Sequence, residues 1–147
     1  MTNRKKCNDL TGKEWLQNSF SIWRGLNKTA EEKAYKHPAS YPVALCEKLI
    51  RTFSTVPCRV LDPFNGIGST TTAASNLNCE AVGIDLSADY CSVAKERVKV
   101  NNKIKIINGD SFEELKKFPE NSFDICITSP PYWDILNMKR SADMKET

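Results

Sequence analysis

From residue 43 onward, apolar positions switch repeatedly between two periods. The segment Val43-Ala-Leu-Cys-Glu-Lys-Leu-Ile-Arg-Thr-Phe53 carries apolar residues at 45, 46, 49, 50 and 53. That spacing follows the helical turn and predicts an amphipathic helix. Short apolar runs come next, each followed by a polar residue. Cys58–Leu61 ends at Asp62, and Ala81–Ile84 ends at Asp85. Lys103–Ile107 leads into Gly109-Asp110, and Phe123–Thr128 leads into Ser129. Runs of this length suit strands. Between them, Ser69–Asn76, Ala88–Val98 and Ser111–Phe118 have helical spacing. Ser111, with Glu114 three residues later, predicts a capping box.

Strand–helix alternation predicts an α/β fold, a Rossmann-like partial parallel sheet of about four strands with helices on both faces. Ligands of such sheets lie outside the carboxyl ends of the strands. Asp62, Asp85, Asp110 and Ser129 follow the four runs and would converge on that edge. Residues 1–35 are more polar, with Trp15, Phe20 and Trp23 as anchors. Asp9 or Thr11 is placed to cap a helix over 12–18, and Thr29–Tyr35 suits a helical turn or two. The expected organisation is an N-terminal arm, 1–35, followed by one incomplete domain, 36–147. In His37-Pro38-Ala39-Ser40-Tyr41-Pro42 two prolines keep the chain extended.

The loop Asp62-Pro63-Phe64-Asn65-Gly66-Ile67-Gly68-Ser69-Thr70-Thr71 follows the first run and opens a helix. Two glycines let a backbone pass close to a ligand, and a helix N-terminus offers amides to a negative group. Asp85 lies 23 residues after Asp62, where a carboxylate can accept the hydroxyl protons of a ribose. A nicotinamide cofactor carries a pyrophosphate and usually meets a third glycine, which Thr71 replaces. Asp62 would repel a pyrophosphate but suits a cation. The residues therefore favour S-adenosylmethionine, which has a sulfonium and no phosphate.

Thr128-Ser129-Pro130-Pro131-Tyr132-Trp133 makes a stiff, extended loop after the fourth run. An exocyclic base amine is a poor nucleophile, because its lone pair is delocalised into the ring. The Ser129 hydroxyl and the Pro130 carbonyl can accept its hydrogens and free that lone pair. Pro131 adds stiffness, and Tyr132 offers a face on which a flipped base could stack. Chemistry at an amine needs no cysteine nucleophile.

Together these segments resemble the DNA amino-methyltransferases. Asp62–Thr71 is similar to their Asp-Pro-Phe-x-Gly-x-Gly cofactor motif, and Thr128–Tyr132 to their catalytic motif. Lys36–Pro42 resembles the segment whose residues flank the methionine moiety. Gly83-Ile84-Asp85 and Gly109-Asp110 resemble the ribose and adenine contacts. The resemblance covers roughly residues 36–136. It implies a site-specific DNA methyltransferase of a restriction-modification kind, or a fragment or subunit of one. Its cofactor residues would be His37, Pro38, Asp62, Pro63, Phe64, Gly66, Gly68, Thr70, Asp85 and Asp110. Its catalytic residues would be Ser129, Pro130, Pro131 and Tyr132. The Ser form of the motif is typical of enzymes acting on cytosine N4, and adenine N6 is the alternative. Family members continue with further strands and a target-recognition region. A second chain supplying these is one expectation, and a non-catalytic cofactor-binding half is another. RNA or protein as the amine-bearing substrate is a third reading.

The charge balance, 21 basic against 18 acidic residues for a net +3, permits DNA binding without arguing for it. The excess lies at the ends, at Arg4, Lys5, Lys6, Lys139 and Arg140. No apolar run is long enough to span a membrane, and no apolar stretch follows the basic N-terminus as a secretory signal needs. None of the six cysteines forms a Cys-x-x-Cys pair, and most lie in apolar segments. Buried free thiols in a reducing cytoplasm fit this better than disulfides or a zinc site. His37, the single histidine, is expected to pack or hydrogen-bond near the cofactor.

Overall fold

The computed structural model describes residues 6–35, 40–98 and 102–131. In chain order these contain α1 (Gly12–Asn18), α2 (Ala30–Ala34), α3 (Val43–Phe53), β1 (Arg59–Asp62), α4 (Ser69–Asn76), β2 (Glu80–Asp85), α5 (Ala88–Val98), β3 (Ile104–Asn108), α6 (Ser111–Leu115) and β4 (Ile125–Cys126). The strands form one sheet in the order β3-β2-β1-β4, and every neighbouring pair is parallel. Leu61 pairs with Val82 on one side and with Cys126 on the other. The expected α/β architecture is therefore present.

Alternation along the strands sorts their side chains. Val60, Ala81 and Ile127 join Cys46 and Ile50 of α3 and Ala73 and Ala74 of α4 in one buried cluster. Helix α4 packs between α3 and α5 on that face. Its sequence, Ser-Thr-Thr-Thr-Ala-Ala-Ser-Asn, contains only small side chains, so three helices and a sheet can approach closely. Propensity alone would not favour three threonines in a helix. Burial of Thr70, Thr71, Ala73 and Ala74 overrides it. On the opposite face, Arg59 lies over the Phe123 ring and Lys105 over Phe118. The segment after α6 covers the sheet there, while Leu61 stays half-buried and Cys126 exposed.

Residues before α1 are tied to α3 and the turn after it. Buried Asn8 donates to the Thr52 carbonyl at 2.7 Å, and the Val56 amide donates to Asp9 at 2.7 Å. Thr11 and Thr29 each head a complete capping box, with Glu14 and Glu32 as partners. Of the two proposed caps for the first helix, Thr11 is the one used.

The expectation for α6 needs correction. Its cap is Asp110, whose carboxylate accepts from the Phe112 amide at 2.9 Å. Ser111 is the first helical residue, and its hydroxyl donates instead to the Pro63 carbonyl. An ionised carboxylate is the stronger acceptor and complements the helix dipole. The fourth strand is shorter than the apolar run suggested, since only Ile125 and Cys126 pair with β1. Of the cysteines, Cys46, Cys58, Cys79 and Cys91 are buried free thiols, and Cys7 and Cys126 are exposed. Burial pushes the Cys46 thiol up to about 12 and Cys58 to about 11.

Candidate cofactor and catalytic-motif site

Strand order grows outward from β1 in both directions, so the crevice at the strand ends opens between β1 and β4. Asp62 closes β1 there, yet it is only 1% exposed. Its carboxylate accepts from Thr70 Oγ1 at 2.6 Å, Tyr41 Oη at 3.0 Å and the Phe64 amide at 3.1 Å. Tyr41 and Thr70 hydroxyls lie 2.7 Å apart, and Ser69 donates to the Tyr41 carbonyl at 2.8 Å. Burial pushes the Asp62 carboxyl above its ordinary range, against the opposing pull of bonds from Thr70, Phe64, Thr128 and Tyr41. Asp62 and Thr70 thus stand behind the loop, binding β1, α4 and the residues before α3 to one another.

The loop itself is wired internally. The Asn65 amide donates to Ile84 O at 2.9 Å, and Gly68 N donates to Asn65 O at 2.8 Å. Gly66 N donates to Asp85 Oδ2 at 2.7 Å, and Ser87 N to Asp85 Oδ1 at 2.9 Å. Asp85 therefore holds the glycine loop as well as facing the edge. The Asn65 side chain lies against Gly83, where a Cβ would come within 2.4 Å of Asn65 Cγ. Asn65 Oδ1 accepts from Thr71, and its Nδ2 is buried without a partner. Gly68 has φ 82°, and a Cβ there would lie 2.8 Å from Ala94 Cβ of α5. Its place is thus set by helix packing, not only by approach to a ligand.

Large apolar side chains are exposed after three strands in turn: Phe64 (42%), Leu86 (75%) and Phe112 (70%). Pro63 is held by the Ser111 hydroxyl, and Asp110 is exposed at the cap of α6. Ser129, Pro130 and Pro131 are exposed beyond β4. Because β4 lies beside β1, these residues follow the strand next to the one that carries the glycine loop. His37, Pro38, Tyr132 and Trp133 lie outside the described residues.

Three residues with parts in this arrangement carried little signal in the sequence. Tyr41 was visible only as part of the extended Pro38–Pro42 stretch. Asn65 occupies the variable position of the cofactor motif. Glu32 lay inside the Thr29–Tyr35 stretch that suited a helical turn or two, and its bond from the Val43 amide at 2.7 Å spans a loop that no local pattern marks. That bond matters because Pro42, the residue before α3, offers no side-chain cap.

Comparison with known proteins agrees with this geometry. A family model described as DNA methylase matches residues 1–96, and one described as a methyltransferase domain matches 60–144. The orphan methyltransferase M.BamHII of Bacillus amyloliquefaciens is 38% identical over 84 residues, 54% of this chain and 32% of that protein. The type II methyltransferase M2.DpnII of Streptococcus pneumoniae is 35% identical over 83 residues, 56% of this chain and 31% of that one. The chain spans about a third of the length of these relatives. A DNA modification methylase of Thermus thermophilus, solved in complex with S-adenosyl-L-methionine, superposes with a TM-score of 0.52 at 29% identity. That match covers 69% of this chain and 39% of the other. TrmN of Thermus thermophilus superposes with a TM-score of 0.54 at 26% identity, over 68% of this chain and 31% of its own. The parallel sheet, the glycine loop wired to Asp85 and the family match over residues 1–96 agree: the chain belongs to the DNA methylase family of amino-methyltransferases.

Proposed function

We propose that this chain is the cofactor-binding and catalytic-motif part of a site-specific DNA methyltransferase, which transfers a methyl group from S-adenosylmethionine to the N4 amine of cytosine. The observation that carries this reading is the pairing of β4 with β1. It sets Ser129-Pro130-Pro131 beside the loop that would hold the cofactor. Three features support S-adenosylmethionine over a dinucleotide. Each Asp85 oxygen takes one backbone amide and keeps a lone pair for a ribose hydroxyl. Exposed Phe64, Leu86 and Phe112 offer an apolar rim for an adenine. The amides of Gly66 and Gly68 already donate within the protein, which leaves a pyrophosphate fewer donors.

Bound S-adenosylmethionine would supply an electrophilic methyl group on a positively charged sulfur. This chain's residues would do the rest. The Ser129 hydroxyl and Pro130 carbonyl accept the amine's hydrogens and orient its lone pair. Pro131 stiffens the loop, and Tyr132 stacks on the flipped base. Ser129 is a weak base, so the amine's proton passes to solvent. DNA is the partner, and the cytoplasm, where free thiols persist, is the compartment. Among the described residues no helix is long and apolar enough to cross a membrane.

A second reading is a cofactor-binding half that works only with further strands from a partner. The short β4, which among the described residues pairs with β1 alone, favours it. Calorimetric titration with S-adenosylmethionine, with NAD as control and Asp85→Ala beside the parent chain, tests the cofactor site. Saturable binding of S-adenosylmethionine alone, lost in Asp85→Ala, is expected. Incubation with duplex DNA and tritiated cofactor, followed by nucleoside chromatography, should then yield N4-methylcytosine. N6-methyladenine would replace the cytosine assignment, and cofactor binding without transfer would leave the second reading standing.

A further inference from the structure

Arg97 lies in the last turn of α5, and its side chain is 4% exposed. Nη1 donates to the Ile67 carbonyl at 2.7 Å, between Gly66 and Gly68. The guanidinium lies 5.0 Å from the centre of the Tyr35 ring, and Nη2 is 3.9 Å from Glu32 Oε1. Glu32 is itself 10% exposed and engaged at both oxygens. It accepts from the Thr29 amide at 2.7 Å and from Val43, the first residue of α3, at 2.7 Å. Burying such a pair carries a desolvation penalty, and apolar packing often replaces one without loss of stability. Its geometry is more informative than its energy. One buried guanidinium joins the middle of the glycine loop to Tyr35, and through Glu32 to Val43.

The loop is thus pinned from two sides, by Asp85 on the Gly66 amide and by Arg97 on the Ile67 carbonyl. These two grips would serve different parts of the ligand. With a ribose at Asp85, after β2, and the methyl group passed to an amine held at Ser129, after β4, the amino-acid part must pass over the end of β1. That is where Ile67 and Tyr41 lie.

We propose that Arg97 and Glu32 are positioning residues for the amino-acid end of S-adenosylmethionine, setting the glycine loop against the residues before α3. This rests on the cofactor reading above. The test compares calorimetric titration of S-adenosylmethionine with that of 5′-methylthioadenosine, which lacks the amino-acid end. The 147-residue parent chain, Arg97→Lys and Glu32→Gln are used, with circular dichroism to establish folding. Lysine keeps the charge but cannot bond Ile67 and stack on Tyr35 together. Glutamine keeps an acceptor for Val43 and loses the ion pair, so it carries the test should Arg97→Lys fail to fold. S-adenosylmethionine should bind about tenfold more weakly to the folded variants, while 5′-methylthioadenosine changes less than about twofold. Equal weakening of both ligands would mean general loosening and would overturn the proposal, as would no weakening of either. Failure of the parent chain to bind S-adenosylmethionine would instead remove the cofactor reading itself.

Discussion

At the scale of single residues, Asp62 shows how a motif letter and a structural role separate. Its position in the cofactor motif invites a direct contact with a ligand, but the carboxylate is buried and spent on Thr70, Tyr41 and the Phe64 amide. Desolvation lifts its pKa above the ordinary value of 3.8. A carboxyl raised in the folded state favours folding most when protonated, below the unfolded pKa. That contribution is lost as pH rises through the folded pKa. Asp62→Asn should therefore gain stability relative to the parent as pH rises from about 4 to about 7. At neutral pH its net change should stay within about 1 kcal/mol, because relief of a buried charge offsets the weaker hydrogen bonds. Urea unfolding across that pH range measures both. A parent chain that gains stability faster than the variant over this interval would contradict the account.

At the scale of elements, the hydrophobic pattern placed the helices well. The 12–18, 43–53, 69–76 and 88–98 expectations match α1, α3, α4 and α5 residue for residue: Thr11 caps the first, and α3 and α5 carry periodic patterns of eleven residues each. Strand ends moved by a residue or so, and β4 kept two residues of the expected six. Pairing depends on a neighbour that local pattern does not show. The helix contacts beneath the glycine loop were equally hidden. Gly68 combines a left-handed backbone with the approach of Ala94, so it carries two constraints at once. Gly68→Ala should cost about 2–3 kcal/mol in urea unfolding. Adding Ala94→Gly should recover only part of that cost, because Thr71 Oγ1 at 2.9 Å and the Ala94 Cα at 3.2 Å still crowd the new Cβ and a glycine inside α5 itself costs about 1 kcal/mol. Full recovery in the double variant would show that backbone conformation contributes nothing there.

At the scale of the whole molecule, the order β3-β2-β1-β4 turns a string of separated motifs into one edge. If S-adenosylmethionine binds that edge in the folded state alone, it must stabilise the chain by mass action. At one hundred times Kd the gain is about 2.7 kcal/mol, which for a chain of this size shifts the melting midpoint by several degrees. Differential scanning calorimetry should show that shift with S-adenosylmethionine and none with NAD. Asp85→Ala should abolish it.

The pattern of apolar runs was enough for the α/β class, and the two motifs were enough for the family. Both signals are local, since a strand, a tight glycine turn and a Pro-Pro loop each depend on neighbours a few residues away. Packing was needed to show that Asp62 faces inward, that Asp85 holds the loop from below, and that Ser111 anchors Pro63. It was also needed to find Glu32 and Arg97, which meet across 65 positions of sequence. Contacts of that kind arise when helices from distant segments share one face of the sheet. No periodicity within either segment encodes which side chain the other will bring.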